Sequence, residues 1–423
     1  MGTPVVVYED PGWQRLLPLV YIRAVFQLVC GMGDLLSKVR TLSGKASLAV
    51  WCRPGLSQVV AEQTGLEANG ALSEEGALLL NGRGLWRGLP KGNGEAWVGT
   101  VGREGPTACV FADRALANTL SPSVLLDEAQ TRAALSGLPR RDVGEMVTLM
   151  DWPWDLVLWQ EEAFLSDWEK RGCSADRSGR VCEGSYVLEE GAVHIGEGSV
   201  IKPCVVVDAE DGPVWIGQNV TVMPHSTVHG PAYIGDGSLI QPGSVIGGAY
   251  IGPVCKVGGE IEGSIVHGYS NKQHDGFLGH SYVGQWVNIA ADCINSDLKN
   301  TYGTIRVPIN GREVETGEMF VGMFVGDHSK GGINVSFPTG AVIGFCSSVF
   351  TPRCPKFVPS FAWVDGDRVD RYDEVRGLAI ARKVMARRKV EMSKAEEEAF
   401  MAVTRQALAI ERQPQIDEVW PEY

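Results

Sequence analysis

The chain has 423 residues, of which 44% are apolar and 21% charged, with a formal net charge of −13. That length leaves room for two or three domains with buried cores, and the acidic balance excludes a general binder of nucleic-acid phosphates, which needs a basic face. The 10 cysteines include no Cys-x-x-Cys pair, which argues against a zinc ribbon or redox dithiol and for reduced, mostly buried thiols in a cytoplasmic protein.

The start, MGTPVVVYEDPGW, lacks a basic segment followed by an apolar one, so no signal peptide is expected. The most apolar run, Leu16 to Val29, is broken by Arg23 and Gln27, so no membrane span is expected either. Residues 1–165 read as an α/β domain. The strands are TPVVVYE, ASLAVWC, ALLLNG and TACVFAD, with helix-like stretches at Gly55–Gln63 and Ser123–Leu135 between them. The segment Asp151–Glu169 carries tryptophans at 152, 154, 159 and 168, which suit a hinge packing one domain onto the next.

Residues 166–354 change character. Aliphatic residues recur every six positions at Ile216, Val222, Val228, Ile234, Ile240 and Ile246, often followed by glycine. The period restarts at Ile251 and Val257, again at Val283 and Ile289, and again from Val325 to Val349. Six fits neither an amphipathic helix nor an alternating strand. It is the hexapeptide signature of a parallel β-helix, in which each hexad is one short strand plus a tight corner. The period breaks at Asp208–Pro213, at Gly268–Gly279 and at Asn295–Gly317, which are expected to be loops leaving the coil. Residues 355–423 follow as an extension with helices near Arg371–Lys389 and Lys394–Arg412, the second opened by a capping box of Ser393 and Glu396.

All 7 histidines lie between residues 194 and 328, and three of them fall in HGYSNKQHDGFLGHSYVGQ, residues 267–285. An aspartate beside an imidazole orients it and raises its basicity, as general-base catalysis near neutral pH requires. His274 with Asp275, and His328 with Asp327 and Lys330, carry that pairing, and His280 lies at the end of the same polar stretch. A Zn²⁺ held by His267, His274 and His280 is the metal alternative; no short fixed spacing supports it.

The β-helix with GHSYVGQWVNIAADCINSDLKNTYGTI, residues 279–305, resembles the acetyltransferase half of the bifunctional bacterial N-acetylglucosamine-1-phosphate uridylyltransferase/glucosamine-1-phosphate acetyltransferase family. With LLPLVYIRAVFQL, PWDLVL and GDHSKGGI, the whole chain looks closest to a divergent branch described as sugar nucleotidyltransferases. The resemblance implies an N-terminal nucleotidyltransferase-like domain, a left-handed β-helix, and a homotrimer with acyl-transfer sites between subunits. It implies acetyl-CoA as donor and His280 as general base, with Tyr282, Asn295, Lys299 and Asn300 around a sugar phosphate; His274, His328, Lys272 and Lys330 join them from the same polar segments. His280 stands two residues before Tyr282, where the family's histidine stands three before its tyrosine.

The family's phosphate loop is echoed by Gly12, Arg15, Leu16, Pro18 and Leu19, with Arg23 as a second cation, whereas Ala24-Val25 replaces its Pro-Lys pair. Nucleotidyl transfer needs a carboxylate for Mg²⁺, and Asp10 and Asp113 are the candidates. The expected function is a sugar-phosphate transferase, acting by nucleotidyl transfer, acyl transfer or both. The alternatives are a non-catalytic trimeric scaffold or regulator that binds a sugar nucleotide, and a metal-dependent β-helix enzyme.

Overall fold

The computed structural model describes residues 3–73, 76–92, 94–172 and 177–412. Its N-terminal domain comprises β1 (Val5–Tyr8), α1 (Leu35–Ser43), β2 (Leu48–Trp51), α2 (Ser57–Thr64), β3 (Ala77–Asn81), β4 (Trp97–Thr100) and β5 (Thr107–Ala112). Three short helices, α3 (Arg114–Ala117), α4 (Pro122–Leu125) and α5 (Glu128–Ala134), and β6 (Arg140–Asp142) follow, and two small antiparallel pairs, Val29–Cys30 with Gly33–Asp34 and Gly84–Trp86 with Val147–Leu149, lie outside the main sheet. The strands form one sheet in the order β2-β1-β3-β5-β4-β6. β1 runs parallel to both β2 and β3, while β5 is antiparallel to β3 and β4. Successive connections leave β1 for β2 on one side and return to β3 on the other. The carboxyl ends of β1 and β3 therefore flank a topological switch point, the place where open α/β sheets form ligand crevices.

Helices α6 (Pro153–Leu158) and α7 (Gln160–Arg171) carry the tryptophan-rich segment to the coil. Trp154 packs against Phe324 of the coil, with ring centroids 6.4 Å apart, and Trp168 meets Trp215 edge-on at 6.3 Å. The residue-165 boundary falls inside α7.

The coil is a three-faced parallel β-solenoid with sheets of eleven, six and nine strands. The hexad residues line its axis in columns. On the nine-stranded face Ile195, Ile216, Ile234, Ile251, Val266, Val283, Val325, Ile343 and Val358 stack in register, each almost wholly buried. Corners between faces need a left-handed residue, and several non-glycine residues hold φ between 43° and 64° there, among them Asn219, His225, Val254, His280 and His328. Buried serines stitch adjacent turns: Ser238 Oγ donates to Gly252 O at 2.8 Å and accepts from Cys255 N at 2.9 Å.

The structure corrects one expected loop. Gly268–Gly279 stays in the coil, with Asn271–Lys272 pairing Lys256–Val257 and Phe277–Gly279 pairing Glu260–Glu262. Lys272 occupies an inward position in register with Val257, so the aliphatic period vanishes there although the coil continues. Of Asn295–Gly317, Asn295 itself still pairs with Phe337 in the coil, and the segment after it leaves the coil and contains a hairpin of Arg306–Ile309 and Arg312–Glu315. The coil runs past residue 354: Phe357–Val358 and Ala362–Asp365 still pair parallel with earlier turns. Helices α8 (Glu374–Ala386) and α9 (Lys394–Ile410) follow, and the Ser393/Glu396 capping box opens α9. Among the described residues no helix is long and apolar enough to cross a membrane.

The N-terminal domain lies along the nine-stranded face. Tyr250, Ile265, Tyr282 and Phe324 point outward from that face, yet belong to one buried cluster with Leu16, Val29 and Trp154. Residues 16–30 act as a strap across this interface.

Candidate functional site

His280 occupies a corner between the six- and nine-stranded faces, with φ 43°. Asn, Asp and His are the non-glycine residues enriched in that conformation, so the corner alone is a structural reason for a histidine. Its side chain goes further. Nδ1 lies 2.8 Å from Asp297 Oδ2, a carboxylate on the loop that leaves the coil, and the imidazole keeps partial exposure. Gly263 in the preceding turn lies under the ring: a Cβ there would come within 3.1 Å of Cδ2 and 3.2 Å of Nε2. The ring of Phe320 packs beside the imidazole at a centroid distance of 5.4 Å, tilted by 37°. With Nδ1 protonated toward Asp297, Nε2 offers a lone pair to a ligand, which is the arrangement a general base requires.

The other coil residues fall into two groups. Asn295 is buried and faces inward beside His280; its Oδ1 accepts from Gly279 N at 2.8 Å and its Nδ2 donates to Gly279 O at 3.0 Å. His274 and Asn300 are exposed, and Lys299 Nζ donates to Thr304 O within the loop. Tyr282, by contrast, is fully buried under the N-terminal domain, where its hydroxyl accepts from Val29 N at 2.9 Å and burial pushes its pKa up. His328 is buried against Trp286, Phe345 and Phe400 of α9, and burial, reinforced by Lys330 and Arg23, lowers its pKa to about 3. Lys330 Nζ donates to His328 O. Lys272 lies inside the coil, its Nζ donating to Gly258 O and His274 O, and burial lowers its pKa to about 8. The three histidines of the metal alternative do not meet. His267 is drawn under the N-terminal domain to Gln27 O, His274 is exposed, and His280 is paired with Asp297. Among the described residues no group of three or more His, Cys, Asp or Glu is arranged to hold a metal ion.

A second site opens at the switch point of the N-terminal sheet. A cleft of about 590 Å³ is lined by Asp10, Gly12, Arg15, Arg83, Arg132 and Arg140, by Glu104 and Glu128, and by further residues of α4 and α5. Asp10 follows β1 and Arg83 follows β3. Arg83 is 1% exposed, and its guanidinium grips Asp10 through Nε at 2.8 Å and Nη2 at 2.7 Å. Its Nη1 reaches Asp151 Oδ1 at 2.5 Å, the same oxygen that Arg15 Nη2 contacts at 2.6 Å. Burial opposes the charge on Asp10, but the hydrogen bonds and charge of Arg83 outweigh it and hold the carboxyl below its usual range. Arg23 is not in this cleft; it crosses to the coil and pairs with buried Asp327 at 2.9 Å.

Mg²⁺ does not fit the candidate carboxylates. Both oxygens of Asp10 accept from Arg83, and Asn81 Nδ2 also donates to Oδ2 at 2.8 Å. Asp113 caps α3 by accepting from Leu116 N. The sequence reading missed Asp297, Arg83 and Asp151. The NGRG that ends the third strand was the one available signal, for Arg83.

Residues 5–173 match the sugar nucleotidyl transferase family and residues 213–248 match the bacterial transferase hexapeptide family of six repeats. A bifunctional sugar-1-phosphate nucleotidylyltransferase/acetyltransferase of Sulfurisphaera tokodaii is 28% identical over 22% of this chain and 23% of its own length. Bifunctional protein GlmU of Methanococcus aeolicus is 29% identical over 45% of this chain and 40% of its own; that of Azoarcus sp. is 35% identical over 27% and 26%. The chain thus spans well under two thirds of each of these relatives. A UDP-N-acetylglucosamine acyltransferase from Campylobacter jejuni aligns over 53% of this chain and 96% of its own, at 11% identity and a TM-score of 0.24. The chain therefore resembles a divergent form of the bifunctional GlmU-like family, with a nucleotidyltransferase-like N-terminal domain, a β-solenoid of hexapeptide repeats and a helical end.

Proposed function

We propose that the protein is a sugar-phosphate-processing transferase that moves an acyl group from acetyl-CoA to the amine of an amino-sugar phosphate, with His280 as the general base. The observation that carries this reading is the 2.8 Å contact between His280 Nδ1 and Asp297 Oδ2 beside a partly exposed ring. Asp297 fixes the tautomer, and Nε2 takes the proton from the amine as its nitrogen attacks the thioester carbonyl. The carbon–sulfur bond then breaks and the thiolate of CoA leaves with the proton. Lys299 and Asn300, on the same loop as Asp297, are the nearest of the expected sugar-phosphate contacts in the chain. Phe320, which packs against His280 and is still exposed, suits cover by a neighbouring subunit, in keeping with a homotrimer. The curated relative named for both nucleotidylyl and acetyl transfer supports the same chemistry.

The test is release of CoA thiol on incubation with acetyl-CoA and a panel of hexosamine 1-phosphates. His280→Ala is expected to reduce the rate by about 10²-fold or more, and Asp297→Asn by about tenfold with KM little changed, as loss of a general base and of its orienting partner require. Absence of CoA release across the panel overturns the proposal.

A further inference from the structure

The cleft of the N-terminal domain supports an inference independent of the acyl-transfer reading. We propose that this cleft binds a phosphate ester of a sugar or nucleoside without any divalent metal, with the guanidinium of Arg83 as its resident cation, and that it does not carry out metal-dependent nucleotidyl transfer. A metal-dependent site sets carboxylates free to face the ion and its bound phosphates. Here Asp10 instead gives both oxygens to the Arg83 guanidinium through two parallel hydrogen bonds, and Asp151 Oδ1 is shared between the guanidinium groups of Arg83 and Arg15. A buried guanidinium held between two carboxylates keeps its charge at any accessible pH, and chelators cannot remove it.

The surrounding sequence is shaped to seat that side chain. Gly12 has no Cβ because one would lie 2.6 Å from Arg83 Nε and 2.7 Å from its Cζ. Asn81 donates to Asp10 from the end of β3 while its Oδ1 accepts from Arg83 N at 3.0 Å, so one amide holds both partners. Met150 O takes a further bond from Arg83 Nη1 at 3.1 Å. Asp10 and Arg83 are thus committed to each other, and recognition of an anion falls to the more accessible arginines of the wall. Arg15, with Nη2 on Asp151, lies beside the ring of Trp152; Arg140 is exposed, and so is Arg132, whose partner is the equally exposed Glu128. Guanidinium groups suit phosphate oxygens because their paired N–H donors match them in geometry. A volume of about 590 Å³ accommodates a sugar phosphate or a nucleotide sugar.

Calorimetric titration of the full chain with glucose 1-phosphate, and separately with UDP-glucose, once with Mg²⁺ and once with EDTA, tests this. The two arms tell a simple sugar phosphate from a nucleotide sugar. At least one probe is expected to bind, with affinities in the two buffers agreeing within about twofold. Arg15→Gln, at a half-exposed position, is expected to weaken that binding about tenfold in both buffers, the loss of roughly one charge-assisted contact. Gly12→Ala is expected to weaken it as well, by displacing Arg83. Failure of both probes to bind, a tenfold or larger gain from Mg²⁺, or an unaffected Arg15→Gln variant overturns the proposal. So does release of pyrophosphate from UTP and glucose 1-phosphate that appears with Mg²⁺ and stops in EDTA.

Discussion

Tyr282 shows how a residue of the right type in the right motif is recruited for another purpose. Its hydroxyl accepts from Val29 N in a fully buried interface. Tyr282→Phe leaves that N–H without a partner, which costs about 1–3 kcal/mol. The expected result is a lower unfolding midpoint with CoA release per folded molecule unchanged; a fall in turnover at unchanged stability would return Tyr282 to the reaction. Asn295 makes a parallel point. It faces the coil axis where the ladder between Phe277–Gly279 and the next turn is interrupted, and its amide supplies bonds to Gly279 that a paired strand would have supplied.

At the scale of elements, the hexad period located the coil because each inward residue had to be aliphatic. It lost the coil where that rule was broken. Lys272 sits in register between Val257 and the Ile289 turn, with its ammonium on two carbonyls, so a continuous turn read as a loop. The strands and helices of the first domain were legible for the same local reason, as were the capping box of α9 and the packing role of the tryptophans. The site was legible only in part. His280 stood out by its surroundings, whereas Asp297 lies in a loop that has no periodicity to mark it. The burial of Arg23, Tyr282 and His328 is imposed by other parts of the chain, which a local pattern does not encode.

Lys272 also has a pH signature. Its ordinary pKa of 10.5 falls to about 8 in the folded protein because burial disfavours the ammonium. Below pH 8 the folded state carries that charge at a cost. Between pH 8 and 10.5 the unfolded chain binds more protons than the folded one, so stability rises with pH and levels off above. Lys272→Met is therefore expected to be more stable than the native chain at pH 7, by at most about 3 kcal/mol, with the gap closing toward pH 10.5. A denaturation series across that range checks it, and a gap that does not change with pH refutes the account.

At the scale of the molecule, the two domains are one body joined by the strap of residues 16–30. Arg23 and Asp327 form its buried ion pair, 4% and 1% exposed, and Tyr21 donates to Glu411, which in turn accepts from Ser360 N and Oγ. Breaking a buried pair on one side leaves an uncompensated charge and costs about 3–5 kcal/mol. Asp327→Asn is expected to lower the unfolding free energy by that order, seen as a lower denaturant midpoint, and to separate the unfolding of the first domain from that of the coil. A single transition at the native midpoint would show that the strap does not couple them. The corners of the coil have a consequence of a different kind. Val254 holds such a corner although a left-handed conformation is costly for a branched side chain. Successive corners touch only neighbouring turns, so substitutions toward glycine or asparagine at separated corners add nearly independently. The coil therefore offers a protein engineer a series of separable sites at which thermal tolerance can be raised stepwise, away from His280 and the strap.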